Sequence, residues 1–161
     1  MKKTINTIFK MAVVSLSLAT LSASASPYGD ADVLFGCFIQ KGKTQKEVVV
    51  LKNDENIIYM YGKQDPNGES GLMPEITIKT TVSQIAKEWL YSQVDAVSIH
   101  NLNIPNGPYT YQVSYTEHGN EKYGYLTVLK NGNAVSLFEC QAVWEQNLNN
   151  DDLMKDIPDV K

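Results

Sequence analysis

The chain has 161 residues, of which 43% are hydrophobic and 20% are charged, and its formal net charge at pH 7 is −4. All fourteen basic residues are lysine, whereas proteins that bind nucleic acids present a basic face and favour arginine for phosphate and guanine contacts. The composition therefore argues against a nucleic-acid partner, and the length predicts one domain with a single core.

The first 25 residues have the pattern of a secretory signal peptide. A basic start, MKKTINTIFK, precedes the apolar stretch MAVVSLSLATL, and Ala23 and Ala25 stand where signal peptidase reads small side chains. The apolar run is shorter than the roughly 20 residues that cross a bilayer. A lipid anchor is not expected either, because Cys37 lies well beyond Ser26, the expected first residue after cleavage. We expect a soluble protein without a membrane anchor, periplasmic or secreted.

Export also changes the charge. The leader carries Lys2, Lys3 and Lys10 and no acid, so its removal takes the net charge from −4 to −7. An acidic surface attracts cationic partners. The charge therefore favours another protein, of cationic character, as the partner.

From Asp32 onward, apolar and polar residues mostly alternate with a period of two, and turn residues separate the alternating runs. This pattern is typical of an antiparallel β-meander. It predicts eight strands, over residues 32–39, 46–52, 57–62, 73–80, 94–102, 109–116, 122–129 and 134–141. Asn131-Gly132 supplies the positive φ angles of a tight hairpin turn, so the last two strands are the firmest predicted pair.

Two segments within the β domain, which is predicted over 26–144, depart from the alternation. Residues 63–71 are polar and contain two glycines and a proline, the composition of an exposed loop tip. Within 82–92, Ile85 and Trp89 fall near helical spacing, which predicts one short helix lying against a mouth of the sheet.

The last residues, 145–161, form an acidic and weakly apolar tail. Such termini are more often frayed than packed. We expect a tail without fixed structure, or one helical turn around residues 151–154.

The chain contains two cysteines, Cys37 and Cys140. An even cysteine count in an exported protein usually means a disulfide, which requires Cα atoms within roughly 4.4–6.8 Å. The first and last strands must then be neighbours, and a meander whose ends meet is a barrel, or a sandwich closed at one edge. Two unpaired thiols or an intermolecular bridge are the alternatives.

The segments GCFIQKGK, IIYMYGK, PEI and YTYQVSY are followed by a closing YGYLTVLKNGNAVSLFEC. Over residues 35–141 they resemble a broad group of small exported bacterial β proteins with cysteines in the first and last strands. The resemblance implies an all-β body and no particular activity. Size, leader and cysteine number are also loosely similar to those of periplasmic lysozyme inhibitors and immunity proteins. The Ser-Gly-x-x-Tyr and Trp-Lys-Gly type segments of the best-known inhibitor family are missing, so no inhibitory residues are assigned.

A catalytic triad is not predicted. His100 follows Ser98 on the same face of a strand, but the alternation directs Asp95 to the other face. A nucleophile, a base and an orienting acid must converge within hydrogen-bond reach. A strand with a partly exposed polar face is the better interpretation.

Metal and glycosidase sites are similarly weak hypotheses. His118 lies in a predicted hairpin turn between two glutamates, whereas a metal site needs three or four clustered ligands. Asp65, Glu69 and Glu75 could suggest paired carboxylates, but their spacing leaves the separation of the carboxylates open. We predict no catalytic residue, no metal and no cofactor.

Tyrosines recur on single faces of the later strands, at Tyr109, Tyr111, Tyr115, Tyr123 and Tyr125. One interpretation is an exposed belt for recognition, because tyrosine offers a large contact area at little entropic cost. The alternative is that the rings fill the barrel. Leu126 and Val128 face opposite Tyr123 and Tyr125, which favours the surface for those two tyrosines.

The sequence favours a non-enzymatic exported protein that binds another protein, with an inhibitor or immunity protein against a cell-wall-directed enzyme as the narrower hypothesis. The predicted binding residues are the acids of the polar loop, Asp65 and Glu69, and the five tyrosines. The alternative is a lipocalin-like barrel that holds a small apolar ligand in its interior.

Overall fold

A computed structural model describes residues 28–64 and 71–161. Within those ranges the chain forms nine strands and one short helix, and the all-β prediction is confirmed. The elements are β1 Asp32–Lys41, β2 Thr44–Asn53, β3 Asn56–Gln64, β4 Leu72–Thr81, β5 Ala86–Ser92, β6 Val97–Asn106, β7 Tyr109–His118, β8 Glu121–Lys130, β9 Asn133–Gln146 and α1 Asp151–Met154.

The strands form a single curled, barrel-like sheet in the order β4-β3-β2-β1-β9-β8-β7-β6-β5, with every neighbouring pair of strands antiparallel. The first and last strands are adjacent in the middle, so β4 and β5 are the edges. The curl brings the two halves face to face: the ring centroids of Tyr59 in β3 and Tyr111 in β7 are 5.0 Å apart. Side chains from both halves fill the interior as one apolar cluster.

The disulfide prediction is confirmed. Cys37 in β1 and Cys140 in β9 are bonded, with Cα atoms 5.8 Å apart and a sequence separation of 103. Closing a loop of this length restricts the unfolded chain by about 4–5 kcal/mol in the loop-entropy model. The bond therefore holds together the two strands on which both halves of the sheet are built.

The final hairpin also agrees with the sequence. Asn131 and Gly132 both have positive φ, 49° and 80°, and Lys130 pairs with Asn133 across the turn. Glycine adopts this conformation without steric cost, and asparagine tolerates it better than most residues. The turn therefore sets the register of β8 against β9.

The helix prediction for residues 82–92 is wrong. Val82–Gln84 form a single 3-10 turn, and Ala86–Ser92 form strand β5, paired over its full length with β6. Val82 and Ile85 are buried in the core, and their three-residue spacing imitates a helical face. The segment after Ile85 is short and aromatic, which suits a strand. This adds a ninth strand to the eight predicted.

The C-terminal segment is packed, in contrast to the frayed tail expected for 145–161. Strand β9 continues to Gln146, and the side chains of Leu148, Met154 and Ile157 join the core cluster. The predicted helical turn is present as α1. Its N-cap, Asn150, accepts hydrogen bonds from the backbone of the first turn. Three apolar side chains in an acidic stretch are enough to anchor it, because each finds a preformed apolar surface.

Lysines fix the same segment to one end of the sheet. Lys52 Nζ donates to the carbonyl of Leu153 at 2.6 Å, and Lys87 Nζ donates to the carbonyl of Met154 at 2.8 Å. The backbone then pairs with edge strand β5: Lys87 N donates to Pro158 O, and Val160 N donates to Lys87 O. The C-terminal residues thus add a short parallel extension to the sheet.

Candidate binding surface

The two acids predicted for binding, Asp65 and Glu69, lie outside the described residues. The flanking positions are the end of β3 at Gln64 and Gly71 before β4. Their part in binding stays a prediction.

The tyrosines of β7 face the interior. Tyr115 and Val113 belong to the core cluster, and Tyr111 packs against it. Tyr109 shares their side of the strand by alternation and is half-buried. Tyr111 and Tyr115 therefore pack in the interior, and the prediction that they belong to an exposed binding belt is wrong. The alternation places these rings on one face of the strand but does not indicate which face turns inward.

The tyrosines of β8 lie on the outer face. Tyr123 and Tyr125 are half-exposed, with ring centroids 6.4 Å apart. Leu126, on the opposite side, is buried as predicted. Tyr123 donates its hydroxyl proton to Glu121 at 2.5 Å, and this hydrogen bond raises the pKa of the phenol. These two rings stay candidates for surface contacts.

The Ser98 and His100 side chains meet, but Asp95 does not join them. Ser98 Oγ lies 3.1 Å from His100 Nε2, whereas the Asp95 carboxylate accepts a hydrogen bond from Ser92 in the turn. The Ser98 hydroxyl also accepts the indole N–H of Trp89 at 2.9 Å. Ser98 and His100 therefore position the tryptophan ring, and the geometry lacks the orienting acid of a triad.

The most exposed apolar side chains that share one hairpin lie on residues 86–97, here called the edge hairpin: strand β5, the turn 93–96 and the first residue of β6. Trp89 is 66% exposed, Leu90 46%, Tyr91 58% and Val94 94%. Trp89 and Tyr91 share one face of β5, with ring centroids 6.3 Å apart, and Leu90 lies on the other face. Single exposed apolar residues are ordinary on protein surfaces, but exposed aromatic neighbours grouped on one element mark an interaction site. The edge hairpin is the strongest candidate surface of the described chain.

The Trp89 ring is exposed but held in place. Its indole N–H bonds to Ser98, one side stacks on the His100 ring at 6.1 Å, and Tyr91 lies at 6.3 Å. A side chain that is already ordered loses less entropy on binding. Tryptophan and tyrosine are also the residue types that most often dominate binding energy at interfaces.

A cavity of about 200 Å³ lies beside Trp89, between β5 and the C-terminal segment. Its lining includes three acids, Glu88, Asp151 and Asp159, and one lysine, Lys87. Burial lowers the pKa of His100, while the nearby carboxylates of Glu117 and Asp151 act in the opposite direction. With the imidazole neutral at pH 7, the carboxylates dominate the charge at this end of β5.

The second tryptophan, Trp144, belongs to a different environment on the outer face of β1 and β9. Its ring stacks on Tyr28, with centroids 6.3 Å apart, and covers Gly36 so closely that a Cβ there would lie 2.3 Å from the indole. Trp144 also hydrogen-bonds the buried carboxylate of Glu47. Burial raises the pKa of Glu47, although the hydrogen bond from Trp144 acts in the opposite direction. Burial also raises the pKa of Tyr28 to about 12.

Neither a metal centre nor a membrane-spanning helix is found in residues 28–64 and 71–161. No group of three or more histidine, cysteine or acidic side chains in those ranges could hold a metal ion. None of the helices there has the length and apolar character needed to cross a bilayer.

The near-helical spacing of Ile85 and Trp89 predicts a helix over KEWLYS, and this spacing conceals the edge hairpin. Two signals favour a strand at this position. The run between Ile85 and the polar turn is only about seven residues long, which is short for a helix, and it is enriched in aromatic side chains. Exposure of Trp89 and Tyr91 follows from the position of β5 at an edge of the sheet, which no local pattern reports.

Comparisons with protein-family models, with curated proteins and with solved structures each find no match, so only the chain's own residues bear on its function.

Proposed function

We propose that this protein is an exported, non-enzymatic binding protein that recognises another protein through its edge hairpin. The observation that carries the proposal is the joint exposure of Trp89, Leu90, Tyr91 and Val94 on one hairpin at the edge of the sheet. Exposing such side chains to water is costly unless a partner covers them for part of the protein's life.

The scaffold behind the hairpin suits this role. The Cys37–Cys140 bond and the filled interior make a rigid body, and rigid presentation of aromatic anchors reduces the cost of binding. The expected leader and the disulfide support an exported location, because structural disulfides persist in oxidising compartments. An inhibitor or immunity protein against a cell-wall-directed enzyme is the narrower form of the proposal.

The lipocalin-like alternative receives less support from the interior. A ligand-binding barrel needs an enclosed cavity of several hundred Å³ lined by apolar side chains. Here the interior positions are taken by Phe35, Tyr59, Leu102, Ile104 and other fully buried side chains. Packing of this kind favours recognition at the surface.

The proposal is tested with protein purified from the periplasm under native conditions. Native mass spectrometry reports a retained partner, a retained small ligand and the oxidised mass in one experiment. Binding is then measured by calorimetry against a panel of lysozymes and other cell-wall hydrolases, together with their activity. We expect at least one enzyme to be bound and inhibited.

The matched variants are Trp89→Ala with Tyr91→Ala, against Val135→Ala. Val135 in β9 is similarly exposed, at 54%, but lies outside the edge hairpin. The double change should weaken binding about tenfold or more, and Val135→Ala should leave it within about twofold. Equal loss in both variants, or a retained apolar ligand and no bound enzyme in the panel, would contradict the proposal.

A further inference from the structure

The C-terminal segment shows how edge strand β5 accepts another strand. At Lys87 the backbone N–H and C=O both point away from β6 and bond to Pro158 and Val160, at 2.8 and 2.9 Å. This pairing is local, since the bridge joins only Lys87 and Asp159. The rest of the β5 edge continues beyond it.

Backbone groups repeat their direction every second residue in a strand. Trp89 and Tyr91 therefore turn their N–H and C=O groups to the same open side as Lys87. Within residues 28–64 and 71–161, no backbone hydrogen bond reaches these two residues from that side. Two residues with outward groups can form up to four hydrogen bonds with an added strand.

Because the edge that pairs with the C-terminal segment at Lys87 continues to Trp89 and Tyr91, unpaired among the described residues, we infer that the partner binds by strand addition. An extended segment that carries lysine or arginine pairs with the β5 edge at these two residues. The inference rests on the proposed function and specifies how the same surface is used. Strand addition at an exposed sheet edge is a common mode of peptide recognition, in which the main chain supplies affinity and alternate side chains supply specificity.

The charge of the partner segment follows from the side chains around the edge. Asp151 and Asp159 line the cavity beside Trp89, and neither carboxylate is within 4.0 Å of a lysine nitrogen in the described part of the chain. Glu88 also belongs to the lining, but its carboxylate accepts a hydrogen bond from Asn101 Nδ2 at 2.9 Å, and alternation turns it to the face of β5 opposite Trp89. The one lysine among the cavity residues, Lys87, directs its ammonium group to the Met154 carbonyl. A cationic side chain of the added strand would meet the carboxylates of Asp151 and Asp159 and the face of Trp89.

A second copy of this chain is a poorer occupant. Two copies would bring the same acidic edge together, and each carries a net negative charge. Like charges across an interface cost several kcal/mol. Self-association is therefore an outcome of the test that would overturn the inference.

The test uses the full exported chain and two capped peptides of about eight residues, the usual length of a strand. One peptide alternates lysine with valine, and the other alternates glutamate with valine. Binding is followed by calorimetry, and amide hydrogen exchange is followed residue by residue by NMR. We expect the lysine peptide to bind at least about tenfold more tightly than the glutamate peptide.

The exchange pattern separates strand addition from other contacts. In the free protein the amides of Trp89 and Tyr91 should exchange fast, whereas those of Glu88 and Leu90, bonded to β6, should be protected. The lysine peptide should slow exchange at Trp89 and Tyr91 by about tenfold or more. Trp89→Ala should weaken binding of the lysine peptide, and Val135→Ala should leave it unchanged.

The failures are distinguishable. If an enzyme partner is lost on Trp89→Ala but the two amides stay unprotected in its complex, strand addition is wrong and the proposed function stands. If neither peptide binds, or if protection at Trp89 and Tyr91 grows with protein concentration alone, the inference is also overturned. If no enzyme binds and the peptide still protects both amides, the edge is a strand acceptor and the proposed function fails.

Discussion

Both tryptophans of this chain lie at the surface, and each hydrogen-bonds a polar side chain, Ser98 for Trp89 and Glu47 for Trp144. Their surroundings nevertheless differ. Trp144 lies over Gly36, against Tyr28 and beside the buried Glu47, and it is 37% exposed. Trp89 is 66% exposed, and among the residues that the structure describes its ring is held by His100, Ser98 and Tyr91.

The difference teaches that a surface aromatic serves packing or recognition according to what lies beneath and beside it. The Trp144 ring packs directly on the backbone of β1, because Gly36 has no side chain and leaves room for the ring. Trp89 covers little and is held by two polar groups, so its free face stays available. We therefore expect changes at the Trp144 region to alter stability and changes at the Trp89 region to alter binding.

The largest effect should come from breaking the frame that both regions share. Replacing Cys37 and Cys140 together by alanine should lower the free energy of unfolding by about 4 kcal/mol, because the unfolded chain is no longer restricted. Urea unfolding followed by circular dichroism measures this. A loss below about 1 kcal/mol would show that the sheet holds β1 against β9 without the bond.

Gly36→Ala should have the next largest effect, and it acts on the Trp144 region alone. The new Cβ would meet the indole at 2.3 Å, so the ring or the strand must move, at a cost of about 1–3 kcal/mol. The control is the same change in a Trp144→Ala background. In that background Gly36→Ala should lower the free energy of unfolding by less. An unchanged loss would show that the new Cβ does not act through the Trp144 ring.

Exchanging each tryptophan for alanine tests the comparison directly. Trp144→Ala should cost about 2 kcal/mol, less than the 3–5 kcal/mol typical of fully buried large aromatics, because part of the ring is exposed. Trp89→Ala should cost less than about 1 kcal/mol. Thermal and urea unfolding of the two variants give the order. A larger loss for Trp89 would make it a packing residue and remove the distinction.

The smallest effect is a pair of opposite pH dependences. Burial holds the pKa of Glu47 above its ordinary 4.5, so the folded state retains the proton and stability is lost as pH rises from about 4.5 through the folded pKa. Burial holds the pKa of His100 below its ordinary 6.5. The folded state therefore takes up the proton less readily, and stability is lost as pH falls below about 6.5.

Glu47→Gln should accordingly gain stability relative to the parent as pH rises, and His100→Gln should gain as pH falls. Unfolding midpoints between about pH 4 and pH 8 measure both differences, and groups common to parent and variant cancel. Changes in the same direction for both variants would contradict the environments assigned to the two regions.

Local chemistry predicted much of the fold. The Asn131-Gly132 turn, the alternation along most strands and the pairing of Cys37 with Cys140 each depend on residues whose preferences are strong and local, or on there being only one possible partner. The candidate binding surface is harder to predict from the sequence. Trp89 lies in a segment whose spacing predicts a helix, and the alternation puts the tyrosines of β7 on one face without indicating whether that face turns inward.

The sequence by itself determined an antiparallel sheet in which the first and last strands carry the one possible intramolecular disulfide, because period-two patterning and turn chemistry act over short range and two cysteines admit a single bridge within the chain. Only the tertiary structure decided which faces are inside, that β5 is an edge, and that the C-terminal segment is packed. Those outcomes depend on how the sheet curls and on which apolar surfaces meet, and such contacts join residues far apart in the chain.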